Sequence, residues 1–120
     1  MEYLNEVFEH FGIIKSRKMF GGHGIYHNGL MFGLVADDVL YLKADKDNAH
    51  YFTELGLSKF EFHTHDKIIR MSYYAAPEGI FDDPKQAQQW AELAFAAALR
   101  ASAIKARKIS NKKTLKNEPN

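Results

Sequence analysis

Arg17-Lys18-Met19-Phe20-Gly21-Gly22-His23-Gly24-Ile25-Tyr26 sets three glycines in four positions between two stretches that read as β-strand. Glycine there needs a reason. Without a Cβ it accepts positive φ and lets another backbone come close, so the run marks a tight turn or bulge that the neighbouring strands must follow. A phosphate cradle would lead into a helix whose amides face the anion, whereas Ile25-Tyr26 leads on to Asn28-Gly29, the strongest hairpin dipeptide. The run is therefore read as a corner of a sheet.

Working outward, Ile14 to Lys43 breaks into short segments at Gly21-Gly22, Asn28-Gly29 and Asp37-Asp38, which predicts four antiparallel strands in a meander. Leu30 to Val35 is apolar on both faces and reads as a central strand; Val39 to Lys43 is nearly so. Upstream, Tyr3, Leu4, Val7, Phe8 and Phe11 recur at helical spacing and Gly12 is placed to end that helix. Downstream, Asp45 can cap a second helix bearing Ala49, Phe52 and Leu55 on one face, with Gly56 at its stop. Phe60 to His65 and Lys67 to Tyr74 alternate as two more strands joined near Asp66, and Pro77-Glu78-Gly79 breaks the sheet. Asp83 as cap, Pro84 at the first helical position and Gln86 beyond it open a last helix. It is expected to run to about Lys105 or Lys108, with Trp90, Leu93, Ala94, Ala97 and Ala101 sharing a stripe. The order α-β-β-β-β-α-β-β-α predicts an α+β two-layer sandwich, an antiparallel sheet of about six strands with helices on one face. The other face is expected to be partly apolar, and a homodimer is a natural way to cover it.

Arg17-x-Met19-Phe20-Gly21-Gly22-x-Gly24-Ile25-Tyr26, followed by Met71-Ser72-Tyr73-Tyr74-x-x-Pro77-Glu78, resembles the N-terminal domain of the TfoX/Sxy family, regulators of natural competence in bacteria. The similarity runs from about Val7 to Arg100 and includes Trp90 with its alanine-rich surroundings. It implies a small α+β domain, a role in transcriptional regulation beside a cyclic-AMP-receptor type activator, and no known catalytic activity. Full-length family members add a helical C-terminal domain, for which these 120 residues leave no room.

At 46% apolar residues the chain suits one domain with one core. It contains no cysteine, which excludes disulfides, thiolate metal sites and cysteine nucleophiles and fits a cytoplasmic location. The acidic start lacks the marks of a signal peptide, and no run approaches the roughly 20 apolar residues that span a bilayer. The formal charge of +1 hides an asymmetry: residues 1–99 carry 9 basic and 14 acidic side chains, residues 100–120 carry 7 and 1. The division expected is a folded domain over 1–104 and a basic, disordered tail over 105–120. Arg100, Lys105, Arg107, Lys108, Lys112, Lys113 and Lys116 are its nucleic-acid candidates, able to make steeply salt-dependent phosphate contacts with little sequence preference.

Other chemistry is thinly signalled. His63 and His65 would share a strand face, as would His23 and His27, but two histidines at that spacing want further ligands that the sequence does not bring, so no metal or other cofactor is assigned. No Gly-x-Ser-x-Gly occurs, and Asp37-Asp38 and Asp82-Asp83 read as a turn and a helix cap, so the chain is not read as an enzyme. Arg17 is expected in a half-buried pair with Glu61 or Glu78, the other reading being an anchor for a carboxylate or phosphate. Tyr73 and Tyr74 must point to opposite faces, one into the core and the other presented with its hydroxyl. The functional expectation is a regulatory protein acting through a protein partner, such as a transcription activator, with non-specific nucleic-acid affinity in the tail. A dimeric interaction or chaperone-like adaptor with no DNA role is one alternative. A small-ligand binder or enzyme at the Arg17 and glycine corner is another, and would show a concave, mostly apolar pocket there.

Overall fold

The computed structural model describes residues 3–19 and 21–117, with side chains to Ser110. The chain forms α1 (Tyr3–Val7), β1 (Lys15–Met19), β2 (Gly22–His27), β3 (Leu30–Ala36), β4 (Val39–Lys43), α2 (Ala49–Thr53), β5 (Lys59–His63), β6 (Ile68–Ala75), a 3-10 turn (Glu78–Phe81) and α3 (Pro84–Asn117). This is the α+β order expected. The six strands make one antiparallel sheet in the order β1-β2-β3-β4-β6-β5. Asn28 and Gly29 (φ 49° and 79°) and Asp37 and Asp38 (φ 51° and 61°) turn the two central hairpins with left-handed residue pairs, the geometry that matches strand twist.

A bulge explains how β3 is apolar on both faces. Ile25 pairs with Gly33 and Tyr26 with Met31, leaving Phe32 as an extra residue. The slip resets the alternation, so that Phe32 packs with the helices while Leu34 packs on the far side. The main core lies between sheet and helices, with Leu4 and Phe8 from the first helical segment, Ile25, Phe32 and Leu42 from the sheet, and Phe52 from α2, all fully buried. Each such side chain contributes about 1.5–3 kcal/mol relative to exposure.

Asp83 accepts from the backbone amides of Lys85 (3.0 Å) and Gln86 (3.4 Å), the cap expected for α3. Ala87, Ala91, Ala94 and Ala98 are buried along it, and their small size lets the helix lie close across β3 and β4. Of the stripe read in sequence, Ala94 and Ala97 are buried and Trp90 packs against the core, while Leu93 is only half-buried and Ala101 is exposed. The helix also continues to Asn117, past the Lys105 or Lys108 end expected. Alanine and lysine are good helix formers and no glycine or proline interrupts them before Pro119. Residues 101–110 are all exposed, so this part of α3 leaves the body.

Candidate functional site

The glycine corner is a sheet corner in which each glycine has its own cause. Gly21 turns the β1–β2 hairpin at φ +73°. At Gly22 a Cβ would fall 1.9 Å from the carbonyl oxygen of Val35, so β3 backbone occupies the space a side chain would need. At Gly24 a Cβ would meet the sulfurs of Met19 (2.7 Å) and Met31 (2.9 Å). Phe20 of the motif lies outside the described residues.

Arg17 corrects the expectation of an acidic partner. It is exposed on the edge strand β1, with its guanidinium 5.8 Å from the centre of the Tyr26 ring, and Glu61 instead faces Arg70 (3.5 Å) and His63 (3.6 Å). Beside it Ile13, Lys15, Arg17, Tyr26 and Asn28 line an open hollow of about 530 Å³. The strand pleat decides this placement: Arg17 points to the far face with Met19, away from the helices.

On that far face Leu34, Phe60 and Tyr73 are buried, flanked by Met31, Tyr41, Phe62 and Met71. Tyr74 takes the helix side, stacked on Phe52 at 5.3 Å, with Trp90 against the same ring at 5.0 Å. The opposite orientations of the two tyrosines are as expected, but Tyr73 is not presented: it is only 4% exposed, and burial, with Tyr26 alongside, pushes its hydroxyl well above the ordinary tyrosine range. Lys43 reaches over it, Nζ 4.9 Å from the ring centre, and burial pushes that ammonium down while Asp45 opposes the shift. Lys43 was missed in sequence because only its alternation with Tyr41 across from β6 places it here.

At the other side of the sheet Asp45 joins two elements. Arg100 donates through Nε and Nη2 to its carboxylate at 2.5 and 3.0 Å, with Asp47 3.3 Å away. Arg100 is thus held by the body, unlike Lys105, Arg107 and Lys108, which are exposed and make no ion pair among the described residues. The side chains of Lys112, Lys113 and Lys116 lie outside the described residues. Asn48, also unnoticed in sequence, is buried with every donor and acceptor engaged: Oδ1 accepts from the Asp45 amide, and Nδ2 donates to the carbonyls of Lys43 and Leu93.

The Arg100 hydrogen bonds hold the Asp45 carboxyl below the ordinary carboxylate range, burial opposing them. A depressed acid stabilises the fold fully above its unfolded pKa of about 3.9 and loses that contribution as pH falls through the folded value. With Arg100 39% exposed the pair contributes about 0.5–1 kcal/mol. The urea midpoint of wild type should therefore exceed that of Arg100→Gln near neutral pH, and the gap should shrink below about pH 4. A gap unchanged by acid would show that the ion pair contributes nothing.

The histidines have local roles. His27 donates Nδ1–H to the Ile13 carbonyl (2.7 Å) and packs on Phe11 and Phe95. β5 ends at His63, so His65 falls in the turn rather than on the same strand face. Among the described residues no three histidine, aspartate or glutamate side chains are grouped to hold a metal ion, and no helix is long and apolar enough to cross a membrane.

Two similarities to known proteins accompany this geometry. Residues 6–98 match the family model of the TfoX N-terminal domain. Over 82 residues the chain is 33% identical to the DNA transformation protein TfoX1 of Aliivibrio fischeri, an alignment covering 65% of this chain and 39% of that protein. The chain thus matches well under half the length of this relative.

Proposed function

This chain belongs to the TfoX N-terminal domain family, and from that premise we propose that it is a cytoplasmic competence regulator that works in transcription through protein contacts, with non-specific DNA affinity in its last helix. The name of its relative, a DNA transformation protein, supports the competence part of this reading. The observation that carries the DNA part is the departing end of α3. Residues 101–110 are exposed throughout and hold Lys105, Arg107 and Lys108 without an acidic residue among them. A rod of fixed cations leaving a body that is acidic overall brings positive charge to phosphates while keeping the body away from them.

The test is binding of labelled duplex DNA by fluorescence anisotropy across a salt series. Wild type is compared with the full chain carrying Lys105→Gln, Arg107→Gln and Lys108→Gln together. Wild type should bind with an affinity that falls steeply with salt, and the triple variant should flatten that slope by roughly one unit for each phosphate it no longer neutralises, up to about three. Equal binding by both proteins would remove Lys105, Arg107 and Lys108 from DNA contact, and no binding at low salt would leave protein contacts alone.

A further inference from the structure

The face of the sheet away from the helices is set apart by its charge. Glu61 is the only acidic residue in any strand among the described residues, and its neighbours Phe60 and Phe62 both pack on the far side, which puts Glu61 on the other. The cations of the far face are Lys15 and Arg17 at the β1 edge and Lys43 at the end of β4, in a body whose residues 1–99 carry more acidic than basic groups. Two of them meet aromatic rings, Arg17 over Tyr26 and Lys43 over Tyr73, and Lys15 is the register partner of Tyr26 on the neighbouring strand. Tyr26 and Tyr41 keep part of their surface open, and the 530 Å³ hollow lies against Tyr26 with Lys15 and Arg17 on its wall. Lys43 also borders a groove with Met31 and Lys105, which joins this face to the departing part of α3.

A second copy of the chain, packed face to face, would offer Lys15, Arg17 and Lys43 no strand carboxylate, so charge does not favour it. An anionic occupant is complementary, and the alternation of cations with aromatic rings selects among anions, because phosphates need the former and unstacked bases use the latter. We propose that the uncovered sheet face is a binding platform for single-stranded nucleic acid, with bases on Tyr26 and Tyr41 and phosphates on Lys15, Arg17 and Lys43. A duplex keeps its bases stacked inside and cannot use the rings, so preference for single strands is the signature of this face, as salt-dependent duplex binding is of α3.

The probe is a fluorescein-labelled oligo-dT of about 15 nucleotides, within the span that one such platform covers. It is compared with a duplex of equal length and with poly-glutamate, using the full chain. Tyr26→Leu keeps an apolar side chain but removes the ring, and Arg17→Gln changes an exposed residue; circular dichroism confirms that both remain folded. Wild type should bind oligo-dT more tightly than duplex, and Tyr26→Leu should weaken oligo-dT about tenfold while leaving duplex affinity unchanged. Arg17→Gln should reduce oligo-dT binding and its salt slope, and the α3 triple variant should retain the preference for single strands. Oligo-dT binding that survives Tyr26→Leu but is abolished in the α3 triple variant would overturn the platform and assign all binding to the helix. Tight poly-glutamate binding without oligo-dT binding would overturn it in favour of an acidic protein segment. A concentration-dependent dimer that masks the face and binds no oligo-dT would do so in favour of a second copy.

Discussion

Gly22→Ala is expected to cost about 3–5 kcal/mol and to leave most of the protein unfolded in mild urea, because the added carbon has no free direction to move. It would lie 1.9 Å from a backbone oxygen, Val35 O, on a strand held on both sides by β2 and β4. Backbone can yield only by breaking pairing, whereas side-chain termini yield by rotation. The neighbouring glycines provide the contrast. Gly21→Ala meets no atom within 4 Å but forces an L residue to φ +73°, a cost of about 1–2 kcal/mol. Gly24→Ala meets methionine sulfurs, which can swing aside, and should cost less than about 1.5 kcal/mol. Urea denaturation followed by Trp90 fluorescence should place the three in the order Gly22, Gly21, Gly24. If Gly22→Ala unfolds no more readily than Gly24→Ala, the close approach of β3 is not what the motif records.

The second large effect is expected at Asn48. Its side chain ties β4, the turn after it and α3 together through the Lys43 carbonyl, the Asp45 amide and the Leu93 carbonyl. Asn48→Leu keeps the branching of the side chain but leaves these groups without that partner in a site only 2% exposed, at a cost of about 2–4 kcal/mol. Asn48→Asp is the sharper probe. It keeps the acceptor for Asp45 N–H but brings a carboxylate against two carbonyl oxygens, so its deficit should match or exceed that of leucine near neutral pH. Since protonation restores a donor, the gap between Asn48→Asp and wild type should narrow on acidification, while that of Asn48→Leu should not. A pH-independent Asn48→Asp deficit would mean that the donor to Lys43 and Leu93 is not what Asn48 supplies.

Much of the fold was legible because it rests on local chemistry. Asn28-Gly29 marks a turn by its left-handed preference wherever it stands, Asp83-Pro84 marks a helix start, and Gly56 (φ +69°) ends α2 as read. The candidate surfaces were less legible. By sequence Arg17 reads as pairing with Glu61 or Glu78, of which the pleat places Glu61 on the opposite side of the sheet, and one of Tyr73 and Tyr74 reads as presented, whereas Tyr73, on the far face, is enclosed by Leu34, Phe60 and Lys43. Arg100 belongs by composition to the basic end of the chain, yet it is bound to Asp45, 55 residues away.

The sequence by itself determined the types of the elements, their order, the turns between them and the charge step near residue 100, since each depends on neighbours within a few positions. Only the tertiary structure decided that β6 and not β5 joins β4, that a bulge at Phe32 turns Leu34 to the far face, and that Lys15, Arg17 and Lys43 stand there with no strand carboxylate on that face among the described residues. Those outcomes depend on pairing register and on which face each strand turns towards the helices. A one-residue slip reverses every side chain it carries, and local preferences do not resolve a slip of one.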